Sequence, residues 1–320
     1  MKNEDDRMIE INVQSDVEDF NHYCSSYNDT HNNNKKKYTN MIKILMTIII
    51  ILITIISTRV YDKFDNRPTL DVVYSYYNED LKEFIHFSNV VYSSLKFKFK
   101  INTKVYIKHD IDENLYNFFK YTAKVDQIEY LTNVGREGHT YLHHIVNNYN
   151  SSSLSDKTLF LQAHPGWPKM TFRRLTYVNT ATGFISFGPY TPSHCGHTTN
   201  FEFLQMNNIW KIFKGFDCPH GDVQTASWSG QFLVSKDRIL ENDKNAYVEM
   251  LNLISAPSDH PIYDETPSWW YPKNDPANPY IGHSLERSWP IIFNCNDLQL
   301  SDENACAGDQ YATKNCQCFD

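Results

Sequence analysis

An apolar run near the N-terminus constrains this chain more than any other feature. The run "MIKILMTIIIILITIIS" spans residues 41–57 and contains a single charge, Lys43. It lies at the short end of the ~17–25 apolar residues that a membrane-spanning helix needs, and Thr58 extends it. A cleaved signal peptide would begin within a few residues of Met1, whereas forty residues precede this run. We therefore predict an uncleaved transmembrane anchor over residues 41–58.

The charges that flank the anchor predict its orientation. Basic residues are concentrated on its N-terminal side, whereas those that follow it are diluted by acidic ones. Because cytoplasmic flanks carry an excess of Lys and Arg, we expect residues 1–40 in the cytosol. Residues 59–320 then form a lumenal or extracellular part of a single-pass type II protein of the Golgi or endoplasmic reticulum. The flanking residues are Lys35, Lys36, Lys37 and Lys43, then Arg59, Lys63 and Arg67 with Asp62 and Asp65.

The cysteines agree with this orientation. One precedes the anchor, and an even number follows it, which in an oxidising compartment predicts up to three disulfides with fifteen possible pairings. The two cysteines of "CQC", Cys316 and Cys318, are too close to form a disulfide with each other. A zinc site is the alternative, although this motif lacks the two-residue spacer of structural zinc ligands. "NSS" at Asn150 is one sequon for N-glycosylation. The cysteines are Cys24, then Cys195, Cys218, Cys295, Cys306, Cys316 and Cys318.

Composition divides the chain into five segments. Residues 1–40 are polar and contain too few apolar residues for a core, so we predict a disordered cytosolic tail. The anchor over 41–58 is followed by a stem over 59–69, a globular domain over 70–294 and a cysteine-rich tail over 295–320. A formal net charge of −8 argues against a nucleic-acid-binding protein, which would present a basic face.

Strands and helices alternate along the globular domain. Runs rich in β-branched and aromatic residues predict strands, and segments with helical spacing lie between them. Residues 165–225 show weak periodicity and are expected to form loops and short elements. The order predicts an α/β fold, Rossmann-like, with a mostly parallel sheet flanked by helices. The predicted elements are strands at 71–77, 104–110, 128–134 and 157–164, a strand and helix over 230–242, and helices over 78–87, 139–149, 246–254 and 283–293.

Three polar loops follow predicted strands, namely "SYYNED", "NVGREGH" and "LQAHPGW". Because ligands of such sheets bind beyond the carboxyl ends of the strands, we predict one site formed by all three. After Asn133, the glycines Gly135 and Gly138 permit a tight turn and a close approach to a ligand. The amides that open the next helix favour an anion such as a diphosphate, and Arg136 pairs with its oxygens. Alternatively, the glycines serve only the turn and Arg136 pairs with a nearby glutamate.

Histidines in the same loops predict a metal site. His139 and His143 lie one helical turn apart, a workable ligand spacing, and His164 follows the strand of the third loop. The zinc-protease pattern needs a glutamate where this chain has Thr140, so a metal-dependent hydrolase is the third of our interpretations. "HDID" at 109–112 contains the Asp-x-Asp pair that holds Mn²⁺ or Mg²⁺ against a diphosphate. It follows the wrong strand for that role, and a solvated acidic loop is the favoured interpretation.

The domain resembles an uncharacterised family, domain of unknown function 3431. The blocks "VVYSYYNEDL", "NVGREGHTYLHHIVNNY", "TLFLQAHP", "GQFLVSKDRI" and "LERSWPIIF" appear in that family's order over roughly residues 70–293. The block "GREGHTYLHHI" is the specific one. That family has no settled activity, so the resemblance names a relative without naming a reaction.

The layout also resembles the nucleotide-sugar half of GT-A-fold glycosyltransferases. Those enzymes often open on a strand that ends in Tyr-Asn-Glu, here Tyr77-Asn78-Glu79, and later show Asn-x-Gly, here residues 133–135. The resemblance implies that Asn78 and Glu79 lie near the nucleotide and that a sugar passes from a nucleotide donor to a glycan or glycoprotein. It also implies Mn²⁺ or Mg²⁺ as cofactor. Where that fold carries its metal-binding Asp-x-Asp, this chain has "QAH" at 162–164, so metal-independent binding, a metal from elsewhere and lost catalysis remain open.

An inverting transferase needs a carboxylate that takes the proton from the acceptor hydroxyl. We predict Glu286, in the last helix, and Asp237 for this role, and a salt bridge with Arg287 is the structural alternative for Glu286. A non-catalytic lumenal binding protein on the same scaffold is the leading alternative function, because the metal motif is missing. Three tryptophans could stack on sugar faces or serve local packing: Trp228, Trp269 and Trp270.

Overall fold

The structure is a computed structural model that describes residues 35–57, 66–110, 112–150, 152–198, 201–219, 221–264, 273–302, 306–308 and 313–320. The chain divides into two units, Met1–Asn66 and Arg67–Asp320. The predicted disordered tail up to residue 34, most of the predicted stem, and Trp269 with Trp270 lie outside the described residues.

Helix α1 (Lys35–Ser57) and Asn66 are the described residues of the first unit. The helix begins before the predicted anchor, so residues 35–40, predicted as the end of the disordered tail, are helical. An 18-residue window within it has a mean hydropathy of 2.4, and its side chains are exposed. At ~1.5 Å per residue a helix of 23 residues extends about 35 Å, which exceeds the ~30 Å of a bilayer's hydrocarbon core. Length and composition therefore fit a single membrane-spanning helix, as predicted. Thr58, the last residue of the predicted anchor, lies outside the described residues.

A seven-stranded sheet with the order β3-β2-β1-β4-β8-β5-β9 forms the centre of the second unit. Strands β1 to β4 are parallel, and β8, β5 and β9 continue the sheet through antiparallel pairs. A separate two-stranded sheet pairs β6 with β7. The strands are β1 (Thr69–Tyr76), β2 (Lys100–Ile107), β3 (Gln127–Tyr130), β4 (Lys157–Gln162), β5 (Thr182–Ser186), β6 (Tyr190–Ser193), β7 (Gln224–Ser227), β8 (Phe232–Ser235) and β9 (Cys318–Phe319).

Helices cover both faces of this sheet. One face lies against α4 (Arg136–Asn148), α8 (Lys244–Ile254) and α9 (Tyr280–Ile292), and the other against α2 (Leu81–Leu95) and α5 (Pro168–Tyr177). The predicted α/β fold with a mostly parallel sheet flanked by helices is confirmed. The shorter elements are α3 (Glu113–Asn117), which continues as a π-helical turn over Phe118–Thr122, α6 (Met206–Lys214), α7 (Lys236–Leu240), and 3₁₀ turns at Pro261–Tyr263 and Leu298–Ser301.

The central strands β1 and β4 need cover on both faces because they carry apolar side chains on both. Val73 and Phe160 point into the cluster that contains Trp289 of α9. Val72 and Leu159, their neighbours along the strands, belong to the cluster beneath α2. Successive side chains of a strand point to opposite faces, so such runs are stable only between two layers of helix.

The structure differs from the sequence-based expectation mainly at the ends of elements. The predicted strand at 128–134 ends at Tyr130, where the chain turns towards α4, and the predicted strand at 104–110 spans Lys100–Ile107. Residues 165–225 form loops and short elements, as expected, including α5, β5, β6, α6 and the first residues of β7. Periodicity is weak there because β5 is buried along its whole length, so neither an alternating nor a helical pattern emerges.

Three disulfides join the six cysteines that follow α1: Cys195–Cys218, Cys295–Cys318 and Cys306–Cys316. Neighbouring cysteines of "CQC" pair with different partners, as expected, so the zinc alternative is wrong. The bond to Cys318 ties the segment after α9 to β9, so residues 295–320 belong to the same unit as the sheet. Such bonds persist in oxidising compartments, which agrees with the predicted side of the membrane.

A buried ionic network ties β1, β2 and α4 together. Lys104 Nζ lies 2.8 Å from the Asp71 carboxylate, and His144 Nε2 lies 3.5 Å from it. The second ring nitrogen of His144 bonds the Tyr106 hydroxyl at 2.9 Å. Burial raises the pKa of Asp71, but hydrogen bonds from His144 and Lys104 outweigh it and hold the pKa well below its usual range. The network explains His144 as a buried structural residue.

The sequon at Asn150 lies in an exposed turn between α4 and β4. Ser152 Oγ donates to Asn150 Oδ1 at 2.7 Å, and the backbone N–H of Ser152 donates to the same oxygen. Asp156, just before β4, accepts hydrogen bonds from Thr69 at the start of β1. The turn therefore lies near the amino ends of the parallel strands, on the side where the chain enters the sheet.

We expect Asn150 to be glycosylated when the chain is synthesised with endoplasmic reticulum membranes. A second sequon, Asn28-Asp29-Thr30, precedes α1, so the two acceptors report opposite sides of the membrane. Because the lysine-rich flank is expected in the cytosol, N150Q should abolish the endoglycosidase-sensitive mobility shift and N28Q should retain it. Loss of the shift in N28Q with retention in N150Q would invert the orientation.

Candidate functional site

A cleft opens between the carboxyl ends of β1 and β4. The order of the strands reverses here, because the chain proceeds from β1 to β2 on one side and later returns to β4 on the other. Ligands of open α/β sheets bind at such a reversal. The cleft has a volume of about 520 Å³, and all three predicted loops contribute to it. Its lining is Ser75, Tyr77, Glu79, Lys108, Asn133, Arg136, Glu137, Gln162, His164, Ala277 and Asn278.

Acidic side chains shape the loop after β1. Asp80 caps α2 by accepting hydrogen bonds from two backbone N–H groups of its first turn. Glu79 Oε2 accepts from the backbone N–H groups of Tyr77 at 2.8 Å and Asn78 at 3.1 Å. These bonds hold the Glu79 carboxylate at the cleft. Its second oxygen, Oε1, is directed towards the loop after β4.

A neighbouring cleft of about 770 Å³ lies between the carboxyl ends of β1 and β2. Asn78 lines this second cleft together with Asp110 and Asp112. The Asp112 carboxylate caps α3 by accepting from the backbone N–H of Leu115 at 2.7 Å. The Asp-x-Asp of "HDID" thus has a helix-capping role, in line with the favoured interpretation. Of the residues predicted to lie near a nucleotide, Asn78 lines this second cleft and not the first, whereas Glu79 lines both.

The loop before α4 turns through two residues in the left-handed region, Gly135 at φ 64° and Arg136 at φ 53°. The backbone N–H of Gly135 donates to the carbonyl of Pro276 at 2.7 Å. The N-cap of α4 is Gly135, which has no side chain to make a capping hydrogen bond. The positive end of the helix dipole lies at this turn, and Arg136, the first residue of α4, lines the cleft.

Both glycines of the loop are explained by packing behind the cleft. A Cβ at Gly135 would lie 2.8 Å from His139 Cβ and 2.9 Å from the carbonyl oxygen of Ile254. A Cβ at Gly138 would lie 2.9 Å from Leu285 Cδ2. The glycines therefore let α4 approach α8 and α9 closely. Of the two alternatives for Gly135 and Gly138, the turn and its packing have direct support.

Lys108, at the end of β2, fixes the position of this loop and was missed by the sequence patterns. Its side chain is buried, and Nζ donates to the backbone carbonyls of Val134 and Arg136. Burial lowers the pKa of Lys108 to about 7, while Glu137 raises it and Arg136 lowers it by smaller amounts. The sequence pattern that could have indicated Lys108 is a lysine directly after the apolar residues at the end of a strand.

Arg136 forms one wall of the cleft. Its Nη1 donates to His283 Nε2 at 2.7 Å, and its Nε lies 3.5 Å from a Glu137 oxygen. Burial lowers the pKa of His283 to about 2, and the charges of Arg136 and Arg287 add to this effect. His283 is therefore a neutral acceptor at physiological pH. About a quarter of the Arg136 side chain stays exposed, and the residue lines the cleft.

The loop after β4 faces Glu79. His164 Nδ1 lies 3.9 Å from Glu79 Oε1, and about half of the His164 side chain is exposed. Gln231 Nε2 donates to the backbone carbonyl of His164 at 3.2 Å and to Gln162 Oε1 at 3.3 Å. Because β8 runs antiparallel to β4, the loop before β8 reaches the same edge. Gln231, which supports the cleft, was not indicated by sequence patterns, and neither were the lining residues Glu137 and Asn278.

The three histidines predicted as metal ligands do not come together. His143 Nε2 lies 2.8 Å from Glu129 Oε1, and the ring centroids of His139 and His143 are 6.1 Å apart. His139 is partly buried behind the turn, and burial lowers its pKa to about 3. His164 belongs to the cleft instead. Within the described ranges no group of three or more His, Cys, Asp or Glu side chains is placed to hold a metal ion.

The structure places neither predicted catalytic carboxylate in the cleft. Glu286 is buried, lies 2.5 Å from Arg287 Nη1 and accepts from the backbone N–H of Ser229 at 2.7 Å. Asp237 is part of α7, which follows β8. Since β8 is antiparallel to β4, α7 lies at the amino ends of the parallel strands, roughly 20 Å along the sheet from the cleft. Asp237 is therefore outside this site, and Glu286 has the salt bridge that we considered as its alternative.

The ion pair supports the loop before β8. The Arg287 guanidinium lies 3.8 Å from the ring centroid of Trp228 and 4.6 Å from that of Phe203. Ser229 and Gly230 follow at φ 76° and 57°, a left-handed path that the carboxylate of Glu286 stabilises by accepting the N–H of Ser229. Trp228 thus serves local packing beneath the loop.

Comparison with known proteins does not indicate what binds or reacts at the cleft. No protein-family model matches the chain, and no curated protein matches it. Its chemistry follows from the lining itself, which combines the cations Lys108 and Arg136 with the carboxylates Glu79 and Glu137 and one imidazole, His164. Such a set can bind an anion, hold a cation and move a proton.

We expect Gly135→Ala to destabilise the protein by about 2–5 kcal/mol. The left-handed backbone costs an alanine ~1–2 kcal/mol, and the contacts with His139 and Ile254 add an overpacking cost of ~1–3 kcal/mol. Gly215→Ala is the matched control, because Gly215 has φ 78° but a Cβ added there would meet no atom within 4 Å. Urea unfolding should give a loss of only about 1–2 kcal/mol for the control. Equal losses in both variants would contradict the packing role.

We expect His139 to make the protein less stable as the pH falls below about 6.5. Its folded pKa of about 3 lies below the value of an unfolded histidine, so the unfolded chain binds a proton first. The stabilisation is complete above about pH 6.5 and declines by up to ~1.4 kcal/mol per pH unit towards pH 3. Urea unfolding between pH 7 and 4.5 should show a shallower pH dependence for H139Q. H86Q, at an exposed position of α2, should keep the wild-type slope.

Proposed function

We propose that this protein is a membrane-anchored, glycosyltransferase-like enzyme that binds a nucleotide sugar in the cleft between β1 and β4. The observation that carries the proposal is the convergence of three loops at the reversal of strand order, beside an uncapped helix start and a basic wall. In open α/β sheets, nucleotides bind beyond the carboxyl ends of the strands where the strand order reverses, with their phosphates at a helix N-terminus. The position of the cleft therefore supports the proposal.

The diphosphate is assigned to the side of the cleft formed by α4. The start of α4, where the helix dipole is positive, and the Arg136 guanidinium favour phosphate oxygens. Lys108 holds the loop from below through the carbonyls of Val134 and Arg136, so its role is to position both. Asn133 lines the same wall.

The transfer step needs one carboxylate in contact with the acceptor. The acceptor hydroxyl attacks C1 of the sugar, the C1–O bond to the diphosphate breaks with its electron pair going to the nucleotide, and the base takes the hydroxyl proton. We assign this base to Glu137, which lines the cleft. Glu79 is the other lining carboxylate, but its Oε2 already accepts two backbone hydrogen bonds. This assignment replaces Asp237 and Glu286.

A nucleotide-sugar-binding protein without catalysis is the second candidate. It is favoured by one observation, namely that Asp237 lies at the other edge of the sheet and Glu286 is already neutralised by Arg287. Both candidates share the type II orientation and a lumenal domain in the Golgi or endoplasmic reticulum, supported by α1 and the three disulfides. Membership of the family domain of unknown function 3431 is part of the same proposal.

The full-length protein, purified in a non-ionic detergent, should bind UDP or GDP in a calorimetric titration. Arg136→Ala should weaken binding by about tenfold or more, since a charge-assisted hydrogen bond is worth ~1.5–3 kcal/mol. Arg173→Ala removes an exposed arginine of α5 and should leave the affinity unchanged. Binding of neither nucleotide, or an equal loss in both variants, would contradict the proposal.

Turnover separates the two candidates. Release of nucleoside diphosphate from UDP- or GDP-sugars by the wild type, lost in E137Q while nucleotide affinity is retained, supports the transferase. Nucleotide binding without any release favours the binding protein. The thermal midpoint of each variant, measured with its disulfides intact, shows whether a loss reflects the site or the fold.

A further inference from the structure

A cavity of about 510 Å³ lies beneath α2, on the opposite face of β1 from the cleft. Its floor is formed by alternate residues of two paired strands, Val72 and Tyr74 of β1 and Ile101 and Thr103 of β2. Ser75, the next residue of β1, lines the cleft on the α4 side. Because successive residues of a strand point to opposite faces, the sheet separates this α2 cavity from the cleft.

The α2 cavity lies over the part of β2 that is least covered. Residues 100–103 are exposed or half-buried, whereas residues 104–107 are buried. Helix α2 forms one wall through residues that include Phe84, Ser88 and Val91, and residues 123–126 form the other. The ring centroids of Phe84 and Phe119 are 5.2 Å apart, and this contact ties α2 to the turn that precedes the second wall.

The second wall is fixed against the sheet. The backbone N–H of Thr103 donates to Asp126 Oδ2 at 2.7 Å, and the N–H of Asp126 donates to the carbonyl of Thr103 at 2.9 Å. The N–H of Val125 donates to the carbonyl of Phe119 at 3.0 Å. Phe119 belongs to the π-helical turn Phe118–Thr122, and such turns are common at functional sites.

Tyr74 provides a buried hydroxyl to the α2 cavity. The residue is only 1% exposed, and its ring packs edge-on against Phe84 and Phe87. Within the part of the chain that the structure describes, this hydroxyl has no hydrogen-bond partner. Burial raises the pKa of Tyr74 well above its usual value, so the group stays protonated. Since buried hydroxyls normally have a partner, an oxygen atom of a ligand would satisfy this one.

We propose that the α2 cavity binds a neutral, mainly apolar small molecule whose hydroxyl or carbonyl oxygen hydrogen-bonds to the Tyr74 hydroxyl. Small-molecule sites are typically cavities of ~300–1,000 Å³ with an apolar lining and a few polar groups that fix orientation. The volume and the lining of the α2 cavity match this description. The inference goes beyond the proposed function, because the cavity and the cleft lie on opposite faces of the sheet.

The lining determines the class of ligand. Its charged side chains, Lys124 and Asp126, are both exposed and opposite in sign, so they favour neither an anion nor a cation. An ionised group placed beside Tyr74 would lose its hydration without gaining a charged partner. The rings of Tyr74, Phe84 and Tyr92 contribute to the lining, and aromatic rings pack well against other rings. A neutral ring system with one oxygen substituent fits these surroundings best.

The chain offers matched controls for both parts of the proposal. Ser88 and Ser94 are half-buried residues of α2 whose hydroxyls donate to backbone carbonyls of the same helix. Of the two, Ser88 lines the α2 cavity, so S88F fills it and S94F makes the same change elsewhere. Tyr76 follows Tyr74 on the same face of β1, but its hydroxyl donates to the carbonyl of Glu79 at 3.0 Å. Y76F therefore removes a hydroxyl that already has a partner.

The test is calorimetric titration of the full-length protein in lipid nanodiscs with 2-naphthol, naphthalene and 2-naphthoate, with empty nanodiscs as the reference. We expect 2-naphthol to bind equally to wild type, S94F and Y76F, and about tenfold or more weakly to S88F, whose added ring occupies the cavity. Y74F should weaken 2-naphthol binding by about three- to tenfold, the effect of one hydrogen bond, and leave naphthalene binding unchanged. The anionic 2-naphthoate should bind about tenfold or more weakly than 2-naphthol.

Several outcomes would overturn the proposal. These are the absence of 2-naphthol binding above the empty nanodiscs, undiminished binding in S88F, and equal binding of 2-naphthol and 2-naphthoate. An affinity for 2-naphthol that is the same in Y74F as in the wild type also overturns it. The thermal midpoint of S88F shows whether that variant is folded, and Y74F, which keeps the aromatic ring, tests the proposal even if S88F is not. No nucleotide is present, so none of these results bears on the proposed function.

Discussion

The parallel pairing of β1 with both of its neighbours is the constraint on which the rest of the structure depends. Eight residues of β1 pair with β2, and six pair with β4 on the other side. Because the chain reaches these neighbours in opposite directions, the loops at their carboxyl ends diverge and leave a gap. At the other end of β1, the buried Asp71 network ties this strand to β2 and α4. The cleft is thus a property of strand order, and its residues only determine what the cleft can bind.

Local sequence patterns indicate much of this arrangement. The apolar runs at β1 and β4, the helical spacing of α4 and the polar loops that follow predict an α/β fold and a site at one edge, with Glu79, Asn133, Arg136 and His164 in it. Local patterns do not predict contacts between residues that are far apart in the sequence. Lys108 donates to backbone carbonyls 26 and 28 positions away, and no local pattern indicates such a contact. The sequence also does not indicate the direction of β8. Because β8 is antiparallel to β4, Asp237 lies at the amino ends of the parallel strands and not at the cleft.

The charged residues near the cleft divide into those that support its loops and those that line it. Glu286 and Arg287 are buried together and shape the loop before β8, which in turn provides Gln231 to hold the end of β4. Glu79, Glu137 and Arg136 line the cleft, although only about a tenth of the Glu137 side chain is exposed. A carboxylate held close to a buried cation is poorly suited to accept a proton. Glu286 lies 2.5 Å from Arg287, whereas Glu137 lies 3.5 Å from Arg136 Nε, so Glu286 is the more tightly paired of the two.

Strand β9, the last strand in the order of the sheet, affects how the newly made protein folds in the cell. Strand β9 covers the edge of β5, and the bond between Cys295 and Cys318 holds it there. All five residues of β5 are buried, so without β9 the sheet would present an unpaired edge of the kind that recruits strands from other chains. Until this cystine forms, β9 is held only by its backbone pairing and the ion pairs of Asp320, so oxidation protects the sheet against pairing with another chain.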